Sequence, residues 1–472
     1  MSTGRAFGVV VALAGLGLFA LYALGAFVLP GGTNVMAFSS GLFDMDVSRV
    51  VSDLATDRPA YRSSVHPLQK LLVSPVGRAI NALAFDGRNP LGAARALVAL
   101  CMTLQALAAG MLAWQWTRGS RSAAFAAFAL CGFSFTSWLA ASVPESAAVA
   151  SLAAVAPLLL SNVRWRRPFT TSEALGWGLL GVLGFGLTIT QLCFWAFALA
   201  VRATLGREPA DAGSAAGSVT PSASSRKHQV IPATMRKLWP HSGQYAARLV
   251  LVVGVAVLLG WGGTQLQAAW YPPATQAESG SALANELNFF RTAELGAAPV
   301  AHLGRLFAHF TLLDFVAPFP GFSEFLIRDY GLDYWSLSVE AAGVSEWAPA
   351  QLVLALAVGL WVVLGCLGLR GGDARLLAAV LGVGTQFAIH VFYGREYVLY
   401  APHWHAVWVA LLVAGAWRAL PRRALPLTVL ALSLSAAMAL NDVVVMREAY
   451  AEFEAGLGVS VRDSGGALLR GD

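Results

Sequence analysis

GVVVALAGLGLFALYALGAFVL, residues 8–29, runs without a single charge. A spanning helix needs about 20 mostly apolar residues, so this stretch alone is long enough to cross a bilayer. No small-residue cleavage site follows it, and it reads as an anchor rather than a cleaved leader. Ten further apolar runs come after it, near 92–115, 122–141, 146–161, 173–187, 189–201, 247–270, 350–369, 375–392, 401–417 and 424–441. The chain of 472 residues is 57% hydrophobic and only 12% charged. It reads as an all-α integral membrane protein with about 11 transmembrane helices.

Beyond the first run lies Phe43-Asp44-Met45-Asp46-Val47-Ser48-Arg49, and then Tyr61-Arg62-Ser63-Ser64-Val65-His66-Pro67-Leu68. In so apolar a chain, two closely spaced carboxylates at a membrane edge are candidates for chemistry. A carboxylate there can serve as a general base on a membrane-bound substrate. The bland alternative for Asp46 is a cap on a helix from Val47 to Leu54, a position that Asp favours. Asp44 fits a supporting position beside it.

Basic residues set the orientation. With the N-terminus in the cytoplasm and sides alternating, the cytoplasmic segments hold 18 of the 32 Lys and Arg residues and 4 of the 26 acids, a balance of +14. The other side then holds 14 basic and 22 acidic residues, or −8. Basic loops gathered on one side are what insertion favours, which places the C-terminus outside. The basic excess thus follows from topology and is poor support for a nucleic-acid partner. Residues 67–85 test the count. Lys70 and Arg78 interrupt them, and a crossing there would turn the later basic loops outward, so they read as a helix lying along the outer surface.

Three parts emerge. Residues 1–201 form a transmembrane module with a first outer loop at 30–91. Residues 202–246 form a cytoplasmic linker, Gly/Ala/Ser-rich and then basic. Residues 247–472 add five spans and an outer loop at 271–349, with short helices expected at 282–290 and 300–310. The glycines Gly181, Gly184 and Gly186 suit close helix packing. Cys101, Cys131, Cys193 and Cys366 all fall in spans without metal spacing. His403 and His405 form an H-x-H pair that lacks a nearby third ligand in sequence. No metal site is assigned, and a divalent cation is the only cofactor left open. Arg dominates the basic residues and Ala is abundant, a composition expected of a GC-rich bacterial genome.

One span, an acidic outer loop with a surface helix, and then many spans resembles the GT-C superfamily of polytopic glycosyltransferases. Residues 43–51 look like the start of that superfamily's first outer loop, in which a carboxylate opens a juxtamembrane helix. By that spacing Asp46 matches the catalytic carboxylate and Arg49 the Arg that follows. Val143-Pro144-Glu145-Ser146, Gly186-Leu187-Thr188-Ile189-Thr190-Gln191 and Phe392-Tyr393-Gly394-Arg395-Glu396-Tyr397 look like further elements of such enzymes.

The resemblance implies a glycosyltransferase in a bacterial inner membrane. It would move a sugar from a polyprenyl-phosphate donor to a glycan, lipid or protein acceptor on the outer face. Arg62, His66, Lys70 and Arg395 are its candidates for the donor phosphate. Arg49, Glu145, Glu396 and Tyr397 are candidates near the acceptor. Attack opposite the phosphate would invert the anomeric carbon. A lipid-linked sugar flippase, or a polysaccharide polymerase or ligase, is the alternative; the flippase would carry charges at mid-membrane.

Overall fold

A computed structural model describes residues 3–28, 47–58, 66–164, 169–205, 242–272, 298–318, 321–327, 332–338, 347–370, 373–393 and 397–463. Helices dominate: α1 (Thr3–Val28), α2 (Val47–Ala55), α3 (Gln69–Phe85), α4 (Pro90–Trp116), α5 (Arg121–Gly132), α6 (Phe135–Ser142), α7 (Ser146–Ala150), α8 (Leu152–Arg164), α9 (Thr171–Leu187), α10 (Leu192–Leu205) and α11 (Ser242–Trp270). After them come α12 (Pro299–Ala308), α13 (Pro349–Leu369), α14 (Ala374–Phe392), α15 (Tyr397–Tyr400), α16 (Pro402–Ala419) and α17 (Ala424–Asp463). The one sheet among the described residues is a hairpin of β1 (Gly321–Ile327) and β2 (Leu332–Ser338), antiparallel with Glu324 opposite Trp335.

All eleven apolar runs are helical, but they are not equal. Seven described helices are long and apolar enough to cross a membrane, and the bent pair α5–α6 would make eight. The runs at 173–187 and 189–201 form the shorter helices α9, of 17 residues, and α10, of 14. The run at 401–417 becomes α16, whose first turn holds Pro402, His403, Trp404 and His405 and whose last holds Arg418. Such polar residues suit a helix surrounded by protein, and from Pro402 to Trp417 all but Trp408 are buried. Its neighbour α13 comes so close that a Cβ on Gly368 would collide with the Gly415 carbonyl. Only small residues permit that approach. The surface helix expected at 67–85 is α3, which is not among the helices that pass as spans.

Helix starts follow capping chemistry. Asn89 accepts from Gly92 N at 2.8 Å ahead of Pro90, and Asp373 accepts from Arg375 N at 3.0 Å; both satisfy donors that a helix leaves open. The α5–α6 span breaks by 56° at Phe133 and Ser134. The N–H groups this frees do not go unmet. Phe135 N donates to Phe315 O and Thr136 N to Asp314 O, both at 3.2 Å. Residues 314–317 are therefore packed into the side of the bundle, with Phe315, Val316 and Ala317 fully buried. Irregular backbone is tolerated at such depth only where protein satisfies it. The helix expected at 300–310 is α12, continued by a π turn at His309–Leu313. The helix expected at 282–290 and most of the linker 202–246 lie outside the described residues.

Candidate active site

Helix ends sort into two groups. At one end the start of α14 meets the end of α16: Asp373 accepts from Arg375 at 2.7 Å and from Arg418 at 2.6 Å. Arg418 also donates to Trp116 O at the end of α4. Nearby in topology, Arg202 pairs with Glu173 at 3.1 Å with both side chains 1% exposed, and Arg248 donates to Phe169 O. This is the end that holds the basic loops. Burial pushes the Asp373 carboxyl up, but the hydrogen bonds and charges of Arg375 and Arg418 outweigh it and hold the group down at about 2.

The opposite ends of the same helices converge on a cavity of about 40 Å³, room enough for a few atoms of a polar group. Four chain segments supply its wall. His66 comes from the end of the first outer loop; Glu145 and Ser146 from the turn into α7; Thr188 and Thr190 from the turn after α9; and His390, Tyr393, Tyr400 and His403 from the path between α14 and α16.

Local structure holds these segments in register. Leu68 N donates to Gly186 O at 2.9 Å, and a Cβ on Gly186 would meet Leu68 Cβ at 2.7 Å, so only glycine lets the two strands of chain close. One residue on, His66 Nδ1 lies 2.6 Å from Leu187 O. A carbonyl only accepts, so Nδ1 is the protonated nitrogen. His66 Nε2 faces Ser146 Oγ at 3.1 Å. Ser146 donates to Glu145 Oε1 from both its N, at 2.7 Å, and its Oγ, at 2.6 Å. Glu145 thus caps α7 while its carboxylate stays at the cavity.

The far wall is aromatic. The His390 ring lies 4.8 Å from Tyr400 and 5.1 Å from Trp404, and Trp404 stacks on Phe310 at 4.1 Å. Trp404 Nε1 donates to Asp314 Oδ2 at 2.8 Å. Burial pushes the Asp314 carboxyl up to about 8, although the indole bond pulls it the other way. The segment 309–317 therefore packs behind His390 through Trp404.

No family model, curated protein or solved structure matches this chain. The site rests on its own geometry.

Of the residues singled out in the sequence, His66 and Glu145 meet in the cavity. Asp44, Asp46, Arg62, Arg395 and Glu396 lie outside the described residues. Arg49 is exposed on α2, the helix expected from Val47 to Leu54. Tyr397 opens the short helix α15, beside the cavity in chain order. Lys70 does not line the cavity. Its ammonium donates to Ser52 O at 2.6 Å, sits 3.8 Å from Asp53 and joins α3 to α2. Burial pulls Lys70 down to about 8, while Asp53 and Asp57 resist that shift.

Ser146, Thr188, Thr190, His390, Tyr393 and Tyr400 were not singled out. A histidine such as His390 in the last turn of an apolar span was the readable signal, since ionisable residues there are costly and usually have a task. The H-x-H pair splits: His403 faces the cavity, whereas His405 bonds Ser134 at 2.6 Å. Residues two apart on a helix do not share a face. Among the described residues no group of three His, Cys, Asp or Glu is placed to hold a metal ion.

Proposed function

We propose that this protein is a membrane glycosyltransferase, moving a sugar from a polyprenyl-phosphate donor to an acceptor on the outer face. One observation carries the reading: the segments ending at His66, Glu145–Ser146, Thr188–Thr190 and Tyr393–His403 converge on one polar cavity, at the end opposite the basic loops. Those segments include residues of the three short stretches, 143–146, 186–191 and 392–397, that carried the resemblance beyond Asp46. Positive-inside orientation puts this end outside, where lipid-linked sugars are presented and nucleotide sugars are not.

The chemistry such a donor needs is at hand. Apolar helices supply a surface for the isoprenoid. His403, with Arg62 and Arg395 close to the lining residues in sequence, supplies donors and positive charge for the phosphate, whereas both ring nitrogens of His66 are already engaged by Leu187 O and Ser146 Oγ. Tyr393, Tyr400 and His390 give the flat faces on which sugar rings pack. A carboxylate at this end, Asp46 from the first loop or Glu145 in the cavity, takes the proton of the acceptor hydroxyl.

The flippase alternative draws on Asp442, which is fully buried in α17. Its neighbour Asn441, however, bonds Gln351 in the first turn of α13 at 3.0 Å. That places the charge toward the cavity end and not at mid-membrane.

The test is transfer from a panel of radiolabelled polyprenyl-phosphate sugars in membranes that hold the protein, alongside binding of unglycosylated polyprenyl phosphate to purified protein. Label should leave the lipid for a product, and polyprenyl phosphate should bind and compete. Absence of both binding and transfer across the panel would rule the reading out.

A further inference from the structure

The cavity contains a proton-sharing array that the resemblance does not supply. His66 Nδ1, 2.6 Å from Leu187 O, carries a fixed proton. Its other nitrogen meets Ser146 Oγ at 3.1 Å, and that oxygen meets Glu145 Oε1 at 2.6 Å. Ser146 has one hydroxyl hydrogen for two short contacts. If it points to Glu145, the His66 contact is filled only when Nε2 is protonated and donates. If it points to His66, the Glu145 contact is filled only when the carboxyl is protonated and donates. Both arrangements hold the same single extra proton, and they exchange when the Nε2 proton passes to Ser146 Oγ as the Ser146 proton passes to Glu145. Without that proton one contact sets acceptor against acceptor inside protein, where His66 is 5%, Ser146 4% and Glu145 5% exposed. Facing lone pairs inside protein leave the proton-poor form one donor short, and a hydroxyl proton would fill that contact.

We propose that Glu145, Ser146 and His66 form an acid–base unit that shares one proton and takes up the proton of a hydroxyl bound in the cavity. The unit itself stands on geometry. Its use as the base rests on the transferase reading and moves that role from Asp46 to the cavity. In the step, the acceptor oxygen bonds the anomeric carbon while its O–H bond breaks. The bond from that carbon to the phosphate oxygen breaks, and its electron pair leaves with the phosphate. The proton ends on the array. His66 and Glu145 line the cavity and touch the reacting hydroxyl; Ser146 positions them and passes the proton. Among the described residues, His390, Tyr393, Tyr400 and His403 are titratable groups that face the array from the elements packed across the cavity.

Nitrogen-15 NMR of histidine-labelled protein in nanodiscs tests the unit, with His66→Gln used to assign the signal. Nδ1 of His66 should remain protonated across the pH range, and Nε2 should titrate once. Glu145→Gln removes the negative partner, so the midpoint should fall by about one to three pH units. Ser146→Ala cuts the link, and Glu145→Gln should then move the midpoint much less. A deprotonated Nδ1, or a midpoint that ignores both substitutions, would overturn the unit. Ser146→Ala removes only a hydroxyl and provides a folded variant if Glu145→Gln does not fold. For the base role, Glu145→Gln should slow transfer more than Asp46→Asn, per folded protein. An intact unit with the greater loss at Asp46 would overturn that role. Failure of the wild-type protein to transfer any sugar would refute the transferase reading, and the NMR result would still decide the unit.

Discussion

The two ends of the bundle use charged residues in opposite ways. At the basic end charges are matched: Asp373 is gripped by Arg375 and Arg418, and Glu173 by Arg202. At the other end Glu145 accepts from the Ser146 hydroxyl, which also faces His66. A matched pair holds helices in place and gains little from exchanging protons. A carboxylate linked to an imidazole through a hydroxyl is poised to exchange them. The difference separates an end where ion pairs tie helices together from an end where a carboxylate, a hydroxyl and an imidazole meet at a cavity. An apolar groove of about 250 Å³, lined by Phe7, Leu107, Met111, Trp114 and Phe125, lies on the side of α1, α4 and α5 near the basic end. It offers van der Waals contact and no acid–base group.

Substitution at matched positions would break or sharpen this contrast. The largest effect is expected at the cavity. Glu145→Gln should lower transfer by roughly 10²–10⁴-fold, the usual contribution of a positioned base, with the protein still folded. Asp373→Asn, at the basic end, should leave turnover per folded molecule near normal. Equal losses in a transfer assay would erase the distinction.

At the basic end the expected effect is on stability. Glu173→Ala leaves Arg202 buried without its carboxylate, which costs about 3–5 kcal/mol. A thermal shift in detergent should register it, whereas Ser146→Ala should cost far less. The third effect is about tenfold: Arg395→Ala should weaken binding of polyprenyl phosphate through loss of a charge-assisted contact worth about 1.5–3 kcal/mol. Lys70→Met should leave that binding unchanged, because Lys70 is committed to Ser52 and Asp53.

The smallest effect is in acid. Arg375 and Arg418 hold Asp373 down at about 2, so its contribution is present above the ordinary carboxylate range, near 4, and is lost as pH falls toward 2. Asp373→Asn should flatten the stability profile in that window and nowhere above it. Orientation is open to a separate check. A cysteine at Ser281 should label from outside intact cells, and one at Ser218 should not.

Much of the fold was legible because spans are written in composition. Each of the eleven apolar runs is helical, two of them as pairs of helices, and the helix expected from Val47 to Leu54 is α2. What composition hid was which helices face lipid. Helix α16 reads as one more span, yet it is enclosed by protein, and its histidines are affordable only there. Half of the site was legible for a similar reason. His66 and Glu145 sit beside prolines at helix starts, where polar residues draw notice. His390 and Tyr400 belong to the site through contacts between distant segments, which no local pattern records. Lys70 misled because charge alone does not reveal whether a partner such as Asp53 lies one helix away.

The contrast between the ends is tested most directly by a cryo-EM structure with polyprenyl phosphate bound in nanodiscs. Density for the phosphate should lie at the cavity, within hydrogen-bond distance of His403, with the isoprenoid running out over apolar helix surface. A lipid seated instead in the groove beside Phe7 and Trp114, with no phosphate at the cavity, would contradict the assignment of the reactive end.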